Sequence, residues 1–225
     1  MSFVFDGRLS DSRFVEMIWR TRSEGGGSFT STAASHWEMV VTKQKDGTIV
    51  SLRGPETTAS LAPIPEDAEF FGIVFKHGTF MPHLPVSHLV DGAVHLPVGV
   101  GRSFWLHGST WELPDYENAD TFVDRLVRQG LLVHDGLVDD VLRGHPPALS
   151  IRSVRRRFLR ATGLTQGTLF QIERARRAAT LLEQGVSILD TVEQAGYFDQ
   201  SHLTRSLKRF IGQTPAQILR MNGSA

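Results

Sequence analysis

The sequence predicts a two-domain α+β protein. An antiparallel β sandwich or half-barrel is expected over residues 1–115, and an all-α domain with two helix–turn–helix units over residues 116–225. Three observations predict this division. The apolar pattern changes period near residue 115, from short β-branched and aromatic runs to stripes with helical spacing. Seven of the ten prolines lie at or before Pro114, which suits a turn-rich β region. Charge divides at nearly the same place. Residues 1–118 hold 9 Lys/Arg against 14 Asp/Glu and residues 119–225 hold 15 against 10, so the formal net charge of zero is the sum of −5 and +5.

In the first half, Phe14 to Trp19 is one β-branched and aromatic run. His36 to Thr42 and Thr48 to Leu52 flank Lys43-Gln44-Lys45-Asp46-Gly47, where Asp46-Gly47 is a strong hairpin signal. Phe70 to Phe75 reads as a buried strand. After Asp120, Phe122 and Leu126 precede a stop at Gly130. Leu137, Val141 and Leu142 suggest a short helix closed by Gly144-His145-Pro146-Pro147. Ile151, Val154, Phe158 and Ala161 form one apolar stripe, and Leu169, Ile172, Ala175, Ala179 and Leu182 a longer one that ends near Gly185. Ile188, Thr191 or Val192, and Ala195 precede Gly196; Leu203, Leu207 and Phe210 precede Gly212; Pro215 opens a last helix.

Composition removes several classes of function. The absence of cysteine excludes a disulfide scaffold, a Cys-ligated zinc and a thiol nucleophile. No run approaches 18 apolar residues, and Met1 to Leu9 lacks a signal-peptide core, so a cytoplasmic protein with no membrane partner is expected. Ser/His/Asp arrangements and Gly-rich phosphate loops are not identifiable, and an enzyme is not expected.

The basic helices carry the functional signal. From His145 to Ala225 the count is 12 cations against 5 carboxylates, nearly all arginine. On the Ile151–Ala161 helix, Arg152, Arg156 and Leu159 lie opposite the apolar stripe, with Arg155 and Arg160 on the flanks. Guanidinium groups suit bidentate contacts to guanine and to phosphate, although a merely solvated basic face would look similar. After the glycine turn at Gly196, Ser201, Thr204, Arg205 and Lys208 face outward, with Gln200 and His202 near the helix start. Short polar groups first and cations further along suit a helix whose N-terminal part reads base edges. The helix around Leu169–Leu182, about 18 residues and roughly 27 Å long, would join two such units.

Ser150-Ile151-Arg152-Ser153-Val154-Arg155-Arg156-Arg157-Phe158 with Thr162-Gly163-Leu164-Thr165 resembles the first helix–turn–helix of AraC/XylS-type transcription regulators. Ile172 to Leu182 looks like their linker helix, and Ala195 to Phe210 with Gly212-Gln213-Thr214-Pro215 is close to their signature stretch. The match covers about residues 119–220. It implies a bipartite DNA-binding domain whose two recognition helices enter successive major grooves. The first helix would present Arg152, Arg155 and Arg156, and the second Gln200, Ser201, His202 and Arg205, with Thr204 and Lys208 nearer the backbone. The chain departs from the pattern where Arg143-Gly144-His145-Pro146-Pro147 replaces the usual short glycine turn.

In such regulators an N-terminal β domain often binds a small effector, mediates dimerisation, or both, and the resemblance implies one of these roles here. Gly72 to Gly78, followed by Leu84-Pro85 and Leu89-Val90-Asp91, loosely resembles the degenerate cupin-like domains of one subgroup. All four tryptophans lie in this half, and His36, Trp37, Glu38 and Trp105 are the candidates for lining an effector pocket, against the plainer role of core aromatics. A domain that only dimerises is the alternative, and a metal-dependent cupin enzyme is the reading from another class. The histidine spacing speaks against the latter, since no His-x-His or His-Glu-x-x-His occurs. No cofactor is expected. The candidate partners are double-stranded DNA, a small-molecule effector, RNA polymerase and a second copy of the chain.

Overall fold

The computed structural model describes residues 5–145 and 148–222. Pro146 and Pro147, expected to close the second helix, lie outside the described residues. In chain order the strands are β1 (Asp6–Leu9), β2 (Val15–Arg22), β3 (Gly27–Ser31), β4 (Glu38–Gln44), β5 (Gly47–Arg53), β6 (Ser60–Ile64), β7 (Glu69–Phe75), β8 (Thr79–Phe80), β9 (Ala93–Leu96), β10 (Ser103–Leu106), β11 (Ser109–Glu112) and β12 (Val133–His134). The helices are α1 (Ala119–Arg128), α2 (Gly136–Leu142), α3 (Ile151–Thr162), α4 (Gln166–Glu183), α5 (Ile188–Gln194), α6 (Gln200–Phe210) and α7 (Pro215–Asn222). A β-rich antiparallel region therefore precedes a helical one, the α+β class that the change of period predicts.

Two compact units share these elements. The first comprises Met1–Gly27, His36–Pro55 and Pro63–Thr165; the second comprises Ser28–Ser35, Glu56–Ala62 and Gln166–Ala225. In the first unit six strands run in the order β1-β2-β7-β4-β5-β9, every neighbour antiparallel. Val15, Ile18, Met39, Val41, Val50, Leu52, Ile73 and Phe75 bury its inner face. The central strand β7 is the run expected at Phe70 to Phe75, hydrogen-bonded on both edges.

Gly72 stands in the middle of that strand because Trp19 lies over it. The two are direct cross-strand partners, and a Cβ at Gly72 would come within 2.2–2.5 Å of the indole. The indole cannot simply move, since its N–H donates to Glu38 Oε2 at 3.1 Å and its ring stacks on Phe5 at 5.9 Å. Gly72→Ala is therefore expected to destabilise the fold by about 1–3 kcal/mol, seen as a lower melting temperature.

The β4–β5 hairpin forms as expected but turns one residue earlier than the Asp46-Gly47 signal suggests. Gln44 pairs with Gly47, so Lys45 and Asp46 make the two-residue turn. Gly47, with φ of +147°, opens β5 instead. Gly is still needed there, because that backbone region disfavours a Cβ.

Helices α1, α2 and α3 belong to the first unit. Helix α1 buries Phe122, Val123 and Leu126, with Phe122 edge-on to Trp111 at 5.8 Å and Arg125 over the same indole at 4.8 Å. Helix α3 packs on β8 and on the 3-10 turn Val86–His88. Gly163, with φ of +73°, ends α3 in a left-handed cap, where a Cβ would meet Val86 and Val90 at 3.0 Å.

The second unit is built on α4, which packs on α5, α6 and α7 through Leu169, Ile172, Ala175, Ala178, Ala179 and Leu182. Two excursions from the first half of the chain complete it. β3 pairs with β6. Beyond that ladder, the Ala33 amide donates to Phe210 O at 2.7 Å and the Ala59 amide to Arg209 O at 2.8 Å. Those carbonyls lie at the C-terminal end of α6, where helical partners run out. Arg176 donates to Ala33 O at 3.1 Å, and the Ser35 hydroxyl donates to the Glu173 carboxylate. Among the described residues no helix is long and apolar enough to cross a membrane.

Candidate nucleic-acid interface

The second helix–turn–helix is assembled from local signals that each have a partner in space. The Ser187 hydroxyl caps α5 by accepting the Asp190 amide at 3.2 Å. Gly196 ends the helix with φ of +70°, a conformation costly for other residues. Tyr197 then turns inward, 6% exposed, its hydroxyl 2.8 Å from Ser206 Oγ. Arg174 of α4 lies 4.4 Å over the Tyr197 ring and donates to Gly196 O at 3.4 Å. Asp199 caps α6 by accepting the His202 amide at 2.6 Å. The turn angle is thus held from α4 as well as by its own caps.

On α6, Leu203, Ser206, Leu207 and Phe210 are buried. Gln200, Ser201, Arg205 and Lys208 are exposed along the opposite side. Among the described residues no carboxylate pairs with Arg205 or Lys208, so their charge is available to an external anion. The structure separates two of the sequence candidates from this group. Thr204 is half-buried and donates its hydroxyl to Gln200 O at 2.8 Å, while His202 is half-buried with its ring edge-on to Tyr197 at 5.1 Å. Both brace the start of the helix.

The first helix–turn–helix is held by ionic contacts instead. Asp135 caps α2 by accepting the Leu137 amide at 3.1 Å, and the same carboxylate accepts Arg157 Nε of α3 at 2.9 Å. His134 lies between Asp139 at 2.8 Å and Thr79 Oγ1 at 3.2 Å, which ties α2 to β8. Ser150 caps α3 by accepting the Ser153 amide at 3.2 Å. Arg152, Arg155 and Arg156 are exposed and, among the described residues, have no carboxylate partner. Arg157, which charge counting cannot tell apart from them, is the anchor. The apolar stripe begins later than its spacing suggests: Phe158 and Ala161 are buried, but Ile151 is 72% exposed because the first turn of α3 projects past the surface it packs on.

The Asp135 clamp makes stability depend on pH. Burial pushes its carboxyl up, but hydrogen bonds from Arg157 and the Leu137 amide, with the Arg157 and His134 charges, outweigh this and hold it below the usual carboxylate range. A lowered folded pKa gives stability that is present above the unfolded value of about 3.9 and is lost as pH falls through the folded value. Asp135→Ala should cost about 1–2 kcal/mol at neutral pH. Asp135→Asn, which keeps a capping oxygen, should cost less and flatten the acid limb of a stability–pH profile.

The effector candidates in the first unit do not share one environment. Trp37 is core, stacked on Phe75 at 4.0 Å with its N–H donated to Thr79 O at 2.6 Å. Glu38 accepts from Trp19, and His36 stacks on His77 at 3.7 Å. Trp105 stands on β10, 48% exposed.

Residues 148–221 match the family model of a helix-turn-helix domain. No curated protein sequence matches the chain. Among solved structures, ToxT from Vibrio cholerae aligns at 10% identity over 96% of this chain and 98% of that one, with a TM-score of 0.40. An apo form of a ToxT variant from the same organism aligns at 9% identity over 95% and 99%, also with a TM-score of 0.40. The family match places a helix-turn-helix domain over residues 148–221, the segment that runs from the start of α3 into α7.

Proposed function

We propose that the chain is a sequence-specific DNA-binding transcription regulator of the AraC type that its sequence resembles, with α3 and α6 entering successive major grooves of one duplex. The observation that carries the reading is the outward side of α6. Exposed Gln200 and Ser201 stand at its N-terminal end, and Arg205 and Lys208 follow with no carboxylate to neutralise them. Recognition helices place base-reading groups at that end and phosphate-seeking cations beyond it. In α3, Arg152, Arg155 and Arg156 take the corresponding roles. Residues 1–115 act as an effector-sensing or dimerising domain and residues 116–225 as the DNA-binding domain. This functional division cuts across the two folding units, since α3 packs on β8 and the Val86–His88 turn. That packing supports modulation by a small molecule, because whatever moves the sheet-bearing unit carries α3 with it. RNA polymerase and a second copy of the chain are further partners in this reading, and the cytoplasm is its setting.

The test is selection of bound duplexes from a random pool by the full chain, followed by titration of the selected site at several salt concentrations. A defined site and a log–log salt slope of several units are expected. A salt-independent complex, or no enriched sequence, would overturn the reading.

A further inference from the structure

We propose that Phe198 reads a thymine 5-methyl group at the groove edge beside α6, an inference that rests on the assignment of α6 as a DNA-reading helix. Phe198 is 92% exposed, although it sits between two immobilised residues. Tyr197 before it is buried and hydrogen-bonded to Ser206, and Asp199 after it caps α6. With both neighbours pinned, the backbone holds the phenyl ring out in water, next to the helix end that carries Gln200 and Ser201. An aromatic ring kept in solvent by rigid structure is an unused apolar contact of the largest kind.

Position selects the occupant. The turn that enters a recognition helix lies at the wall of the major groove when the helix N-terminus meets base edges. The apolar group presented there by a base is the C5-methyl of thymine, which phenylalanine contacts. The first reading helix has a parallel feature: Ile151, its first residue, is 72% exposed beside Arg152. A large apolar side chain thus stands in solvent at the first residue of α3 and just before the cap of α6, next to the polar groups that face the groove.

The experiment uses the full chain and the duplex it selects from a random pool. Each thymine of that duplex is replaced singly by deoxyuridine, which removes only the methyl, and wild type, Phe198→Ala and Phe198→Leu are titrated by fluorescence anisotropy. One replacement should weaken wild type about 3- to 5-fold, the scale of one methyl group. The same replacement should leave Phe198→Ala unchanged, and Phe198→Leu should recover part of the methyl discrimination. Phe198→Ala itself should bind the thymine site roughly tenfold more weakly.

Three results would overturn the proposal. Equal affinities of wild type and Phe198→Ala would remove Phe198 from the interface. Uniformly weaker binding by Phe198→Ala, with no deoxyuridine position that distinguishes the proteins, would assign the ring to the sugar-phosphate wall. Unchanged DNA affinity with lost transcription by purified RNA polymerase would assign it to a protein contact. In all three the selected site still stands; if wild type selects no site, the reading of α6 fails first and this inference with it.

Discussion

Arg205→Ala is expected to lose about 1–3 kcal/mol of affinity for the selected duplex, roughly 5- to 150-fold, and to relax sequence preference at one position. The side chain is exposed on α6, faces away from Leu203, Leu207 and Phe210, and has no carboxylate partner among the described residues. Its removal therefore leaves the fold intact and the loss is one of binding. Lys208→Ala provides the contrast. A point charge on the backbone side should weaken all duplexes about equally and reduce the salt slope by about one. If Arg205→Ala binds its site as wild type does, α6 does not read bases through this residue. Circular dichroism melts of both variants should match wild type.

Gly212→Val should destabilise the second unit by about 3 kcal/mol or more. Gly212 has φ of +81°, where a β-branched residue is strained. Independently, a Cβ there would come within 2.8 Å of Thr30 Cγ2 and 3.3 Å of Ala59 Cβ. Thr30 and Ala59 belong to the excursions whose amides and strands receive the end of α6. The two causes separate in a double variant. Thr30→Ala removes the methyl in the way, so adding it to Gly212→Val should recover about 1 kcal/mol and leave the backbone strain. Thermal melts of the four proteins give the cycle; a double variant no more stable than Gly212→Val alone would mean that the strands do not abut Gly212.

Local signals made the second helix–turn–helix legible from the sequence. Gly196, the Leu203/Leu207/Phe210 stripe and Pro215 each state their role within a few residues. The β4–β5 hairpin was legible for the same reason. The β3–β6 excursions were not. β3 reads Gly-Ser-Phe-Thr-Ser with little burial, and β6 contains Pro63, which argues against a strand. What fixes these segments is the pair of carbonyls at the end of α6 that accept the Ala33 and Ala59 amides, a relation between positions 177 and 150 residues apart. Arg157 was hidden among its neighbours for a related reason: only the position of Asp135 distinguishes a clamp from a DNA contact. Ile151 fits the period of the stripe, yet period says nothing about where the opposing surface stops. The effector candidates are legible only as a concentration of aromatics, and Trp37 shows how such residues are used up by packing.

The two excursions also bear on how such a protein can be recombined. The chain passes between its two folding units at five points, near residues 27, 35, 55, 62 and 165. Grafting residues 166–225 onto another chain would transplant α4–α7 without the strands that receive the end of α6. If α3 and α6 read DNA as proposed, a change of specificity is better made by substituting their outward residues than by transferring the whole helical segment. The outward residues of these helices are free to drift while their mounting stays with the rest of the chain.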